Sequence, residues 1–135
     1  MNEAIMVVEG LKKRLPLAVN PTMDLFLEEK KIGLVVVDEI NGFCTPGCGP
    51  LAPPVKDPKI EKMVERTNLL AKVLANNDTP ILVLQEAHTE DRPEPPFPPH
   101  CIEGSGDELL VPKLEWLYKY EETKVVKKGC INGVI

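Results

Sequence analysis

Apolar positions along this chain cluster into three short runs separated by amphipathic or irregular stretches. Ile32-Gly33-Leu34-Val35-Val36-Val37 is a near-continuous β-branched run, the pattern of a parallel strand buried on both faces. It ends in Asp38-Glu39, and the Gly- and Pro-rich segment from Asn41 to Val55 reads as loop. Asp57-Pro58 is a helix start, with Asp as N-cap and Pro at the first helical position. Ile60, Met63, Val64, Thr67, Leu70, Ala71 and Leu74 then recur on one helical face, and Asn76-Asn77-Asp78 stops the helix. Pro80-Ile81-Leu82-Val83-Leu84 is a second buried strand, ending at Gln85-Glu86. Five prolines between Arg92 and Pro99 make a stiff, extended loop. Pro112 starts a helix through Tyr118, and Thr123 to Lys127 is a third strand. At the N-terminal end, Glu3 to Leu15 reads as a short amphipathic helix stopped by Pro16, with irregular chain from Pro16 to Glu29.

Strands that alternate with helices predict βαβ units and a parallel sheet. The expected fold is α/β, a Rossmann-like three-layer α/β/α arrangement. Residues 1–30 are expected to form an N-terminal extension and residues 31–135 the domain proper.

Bulk properties narrow the function classes. The chain has 135 residues, 43% of them hydrophobic, enough for one domain with a core. The net charge is −5 and no dense Lys/Arg run occurs, which argues against nucleic acid as a partner. The longest apolar runs are too short to span a bilayer, and Met1 to Met6 lacks the basic start of a signal peptide. A soluble, cytoplasmic protein is expected. Cys44 and Cys48 form one loose pair, and Cys101 and Cys130 are scattered. That spacing fits free structural thiols better than a zinc ribbon or a disulfide framework.

In open α/β sheets, ligands bind beyond the carboxyl ends of the strands. The first strand delivers Asp38, the second Glu86 and His88, and the third Lys127 and Lys128. His100 returns after the proline loop. Two histidines and a carboxylate leave coordination positions open, a set that suits zinc, iron or manganese in a catalytic site. The alternative is two surface histidines and a solvated glutamate. Asp38 is either a catalytic carboxylate or a loop cap, and Lys128 either a functional cation or a solvated charge.

The run Leu34-Val35-Val36-Val37-Asp38-Glu39-Ile40-Asn41-Gly42-Phe43-Cys44 resembles the first strand and catalytic-aspartate motif of plant-type nicotinamidases, which are isochorismatase-like cysteine hydrolases. Pro93 to Gly104 resembles their metal loop, and Lys127-Lys128-Gly129-Cys130-Ile131-Asn132-Gly133 their catalytic-lysine segment. Three motifs in the right order make the resemblance specific, from about Lys31 onward. It implies that Asp38 takes the proton of a thiol and that Lys128, or Lys127 if the register differs by one, is the cation beside it. It implies Glu86, His88 and His100 as ligands of a divalent metal, zinc, iron or manganese, and Phe43 and Phe97 as flanks of a pyridine ring. The implied reaction is hydrolysis of nicotinamide, or a similar small amide, to the acid and ammonia, a step of NAD salvage. The implied sheet has six strands in the order 3-2-1-4-5-6, of which this sequence supplies 3-2-1.

Two departures shape the expectations. Glu86 stands where the family usually has Asp. The family's nucleophile lies in a Gly-x-x-Thr-Asp-x-Cys type segment, which these residues do not contain. Residues 31–135 are therefore expected to be an incomplete hydrolase domain, inactive alone. A non-catalytic metal-binding module, a homo-oligomer, or pairing with a full-length subunit through the open sheet edge are the competing expectations.

Overall fold

The structure, a computed structural model, describes residues 32–92 and 94–130. The helix and extension expected within residues 1–30 lie outside the described residues. Three strands form one parallel sheet in the order β1-β2-β3: β1 Leu34–Val37, β2 Ile81–Glu86 and β3 Thr123–Lys128. The register pairs Val36 with Val83 and Val83 with Val125, so these side chains share one face.

The elements that pack on the sheet follow from local chemistry. One turn of helix, α1 (Asn41–Cys44), lies inside a segment whose composition reads as loop. The carbonyl of Ile40 accepts the N–H groups of Phe43 and Cys44, and Thr45 Oγ1 donates to Asn41 Oδ1 at 2.7 Å. Gly42 is required here, because a Cβ would meet Cys101 Sγ at 2.8 Å.

Helix α2 (Pro58–Ala75) begins where Asp57 Oδ1 accepts the N–H of Lys59 at 2.7 Å, satisfying one orphan donor of the first turn. It buries Val64, Ala71 and Leu74, each large side chain contributing about 2 kcal/mol. Met63 and Leu70, expected on the same face, lie at its exposed margin. A 3-10 helix, Pro112–Lys119, covers the rest of that sheet face. Its three-residue turn stacks Leu114 on Leu117, and both are wholly buried. Trp116 Nε1 donates to Asn68 Oδ1 at 2.9 Å and ties this helix to α2.

The buried-on-both-faces reading of β1 is not met among the described residues. Val36 is 2% exposed, but Val35 and Val37 are 55% and 52% exposed. Both core helices lie on the Val36 side, and no described element covers the other. Among the described residues, no helix is long and apolar enough to cross a membrane.

Candidate active site and metal centre

All three strands end on the same side, and the site begins where β1 stops. Asp38 takes φ +53, a left-handed conformation that Asp tolerates better than most residues. Its N–H still donates to Leu84 O at 2.9 Å, so the turn leaves the sheet only after that bond. The turn brings Asp38 Oδ1 onto the N–H of Glu86 at 2.9 Å and Oδ2 onto Lys128 Nζ at 2.6 Å. Both side chains are largely buried, Lys128 9% and Asp38 21% exposed. This is a short, charge-assisted contact of the stronger kind.

The register decides between the two lysines. Lys128 stands opposite Glu86 at the end of β2, whereas Lys127 points to the other sheet face. There Lys127 forms an exposed ion pair with Glu103, and that hydrogen bond raises its pKa.

Beside the pair lies a cluster of Glu86, His88, Glu94 and His100, whose ligand atoms all lie within 4.8 Å of one another. Glu86 Oε1 is 3.6 Å from His88 Nε2, and Oε2 is 3.5 Å from His100 Nε2. Glu94 Oε2 approaches His88 Nε2 at 3.7 Å. His100 Nδ1 contacts the carbonyl of Pro98 at 2.7 Å. Donation there assigns the proton to Nδ1 and leaves the Nε2 lone pair facing the cluster, the arrangement of a metal-ligating imidazole. His88 is 2% exposed, and among the described residues neither ring nitrogen has a hydrogen-bond partner. Buried polar atoms are rarely left so. A cation between the four side chains would take up His88 Nε2 and offset two closely spaced carboxylates. The donor set of two imidazoles and two carboxylates therefore fits a divalent metal, and a cavity of 30 Å³ beside His88, Glu94 and His100 has room for about one water-sized occupant.

Glu94 was not legible as a ligand from sequence. Its one signal was a carboxylate inside the same proline loop, six residues before His100. His88 and the chain after His100 are joined by a short parallel bridge: His88 N–H donates to Cys101 O, and Glu103 N–H donates to His88 O, both at 2.9 Å.

A cleft of 280 Å³ opens against this centre, lined by Asp38, Phe43, Leu51, Glu86, Phe97 and His100. The rings of Phe43 and Phe97 each stand 6.0 Å from that of His100. Leu51, in the segment after α1, is a lining residue that no sequence pattern singled out. A larger groove of 460 Å³, near Cys44, Ile60 and Pro112, carries none of these groups.

None of the four cysteines, which form no disulfide, lines the cleft. Burial first, then the charge of Glu39, pushes the Cys44 thiol up to about 11. Burial, then the charge of Glu86, pushes Cys101 up to about 12. At pH 7, about one Cys44 in ten thousand is thiolate, and Cys101 is wholly buried.

An open parallel sheet with a carboxylate–lysine pair and an imidazole–carboxylate cluster at its strand ends defines an α/β protein with a candidate ligand site beyond the carboxyl ends of its strands. The Isochorismatase domain matches residues 33–134, and the chain belongs to that family. It is 40% identical over 130 residues to Nicotinamidase 1 of Arabidopsis thaliana, a match that covers 96% of this chain and 52% of that protein. A pyrazinamidase/nicotinamidase from Streptococcus mutans shares the fold at a TM-score of 0.60 and 20% identity, over 71% of this chain and 55% of that one. An N-carbamoylsarcosine amidase from Thermoplasma acidophilum does so at a TM-score of 0.61 and 22% identity, over 75% and 53%. The chain spans about half the length of the curated relative it matches.

Proposed function

We propose that these residues form the acid–base and metal-binding portion of an amidohydrolase site for nicotinamide or a close pyridine carboxamide. The observation that carries the reading is that Asp38, paired with Lys128, lines the same cleft as Glu86 and His100 of the His88-containing cluster. Asp38 takes a thiol proton, and Lys128 holds Asp38 in place and stabilises the thiolate. Phe43 and Phe97 flank the ring, large apolar surfaces that position it with little loss of freedom. Glu86, His88 and His100 hold zinc, iron or manganese, with Glu94 as a fourth ligand. The metal supplies Lewis-acid polarisation and orientation of the bound amide. Kinship to Nicotinamidase 1 supports nicotinamide as substrate, with nicotinate and ammonia as products.

The thiolate attacks the carboxamide carbon, ammonia leaves, and water cleaves the thioester. None of Cys44, Cys48, Cys101 and Cys130 is placed for that attack, so these 135 residues alone are not expected to turn nicotinamide over. The purified chain is tested for ammonia release with zinc, iron and manganese in turn, alone and mixed with a segment carrying the Gly-x-x-Thr-Asp-x-Cys motif of a nicotinamidase. Release only in the mixture supports the reading. Release by the chain alone would place the nucleophile on a resident thiol and overturn the roles assigned to Asp38 and Lys128.

A second reading, pairing with another subunit, is favoured by the sheet face that no described element covers. Val35, Val37 and Val126 are exposed there beside half-buried Leu82 and Leu84, more contiguous apolar surface than isolated exposed residues give. Val37→Lys is expected to weaken self-association at least about tenfold in sedimentation equilibrium, because a charge replaces a buried valine at the contact. Equal association of wild type and variant would remove this reading.

A further inference from the structure

The segment that follows His100 contains a buried carboxylate that none of these roles uses. Glu108 is 4% exposed. Its Oε1 accepts the N–H of Gly104 and its Oε2 the N–H of Gly106, both at 2.8 Å. The two glycines have φ +87 and +92, conformations that other residues adopt only at a cost. One side chain thus grips both ends of a two-glycine turn. The same turn is tied to the body of the domain at other points. Asn41 Nδ2 donates to Gly106 O at 3.1 Å, and Gly42 N–H donates to Asp107 O at 2.7 Å.

Upstream of the turn, residues 101–103 lie against His88 through the two backbone bonds of the parallel bridge. His100 immediately precedes them. Its ring stands 4.7 Å from that of His88, and its Nε2 3.5 Å from Glu86. Pro98 O holds the His100 ring from the loop before it, and the bridge and the turn hold the backbone from the chain after it. We propose that Glu108 is the positioning residue of this loop: by holding Gly104 and Gly106 it keeps residues 101–103 on His88, and so keeps His100 against Glu86 and His88. The inference rests on reading the His88–His100 cluster as a metal centre.

Burial works against the charge on Glu108, but the N–H groups of Gly104 and Gly106 and the charge of Lys127 outweigh it and hold the carboxyl below its usual range. At neutral pH both oxygens are therefore free to accept. Glutamine has the same shape but only one acceptor, and its amide N–H would face a backbone donor.

The test is Glu108→Gln with two readouts. In native-state hydrogen exchange, the N–H groups of His88 and Glu103 are expected to exchange about tenfold faster or more, the loss of one charge-assisted bond, while amides within the β2–β3 ladder keep their rates. In competition with a chelating dye, well below the unfolding temperature, zinc affinity is expected to fall about 10- to 100-fold, the usual effect of removing a group that orients a ligand. Ile81→Val, a core change at the far end of β2, is the control. It is expected to lower the melting temperature and leave both readouts in place. Unchanged exchange in Glu108→Gln overturns the proposal, as do losses of equal size in Ile81→Val. A wild-type chain that binds no zinc but shows the exchange pattern refutes the metal reading while supporting the loop-holding role. If Glu108→Gln does not fold, Asn41→Ala loosens the same turn from its other side. Faster exchange at His88 and Glu103 then supports the proposal, and wild-type rates overturn it.

Discussion

Replacing His100 by alanine is expected to abolish stoichiometric zinc binding, lowering affinity by at least about 100-fold, since loss of an outer-shell partner alone costs about 10- to 100-fold. The cluster has four ligand groups, and the orientation of His100 is fixed from behind, by Pro98 O at 2.7 Å. That contact confers a preformed lone pair, so a metal gains its bond without the cost of ordering a ring. His88→Ala is expected to match it, because His88 Nε2 sits between Glu86 and Glu94 with no other partner among the described residues. Glu94→Ala is expected to cost less, about tenfold, because Glu94 is only partly buried and belongs to the long proline loop. The measurement is zinc by elemental analysis after dialysis, then a chelator competition. Cys44→Ala combined with Cys48→Ala is the contrasting variant and is expected to retain metal. Retention by both histidine variants, or loss in the double cysteine variant, would move the metal to a thiolate site.

The backbone plan was readable because strands β1, β2 and β3 are short β-branched runs and α2 begins with Asp57-Pro58. What packs on each strand face was not. Val35 and Val37 read as buried because a parallel sheet usually carries helices on both faces, yet burial depends on neighbours that a run of valines does not specify. The segment after Pro112 read simply as helix. Leu114 and Leu117, three residues apart, both face the core, and that spacing fits the observed 3-10 winding and an α-helix equally, so it could not choose between them. At the site, strand ends brought Asp38, Glu86, His88 and one of Lys127 and Lys128 into view, whereas His100 entered through its return after the proline loop and the resemblance. The choice of Lys128 over Lys127 needed the pairing of Glu86 with Lys128, which no local pattern encodes. Glu94, Leu51 and Glu108 act from loops, where proline and glycine specify stiffness and turns but not the direction of a side chain.

Asp38→Asn is expected to destabilise the fold by about 3 kcal/mol, the low end of the cost of breaking a buried ion pair. Lys128 has its side chain 9% exposed and would lose its counter-ion, whereas Asp38 keeps a fifth of its surface in water and moderates the loss. Asparagine tolerates φ +53 as aspartate does and can still accept the N–H of Glu86 through its carbonyl oxygen, so the change isolates the charge. Lys128→Met should cost less, about 1–2 kcal/mol, because Asp38 keeps the bond from Glu86 and the methionine fills the path of the lysine stem. The double variant should then be more stable than the sum of the single changes predicts, by about 1 kcal/mol or more, as seen for residues in contact. Urea unfolding of the four proteins at pH 7 measures the cycle. Additivity within about 0.5 kcal/mol would mean that Lys128 reaches water when Asp38 loses its charge. The pair would then be an adaptable surface contact, and Asp38 would lack the fixed cation that holds a base in place beside a substrate. A strong coupling term would mean that the fold itself keeps the two charges together and so holds a carboxylate ready at the end of β1.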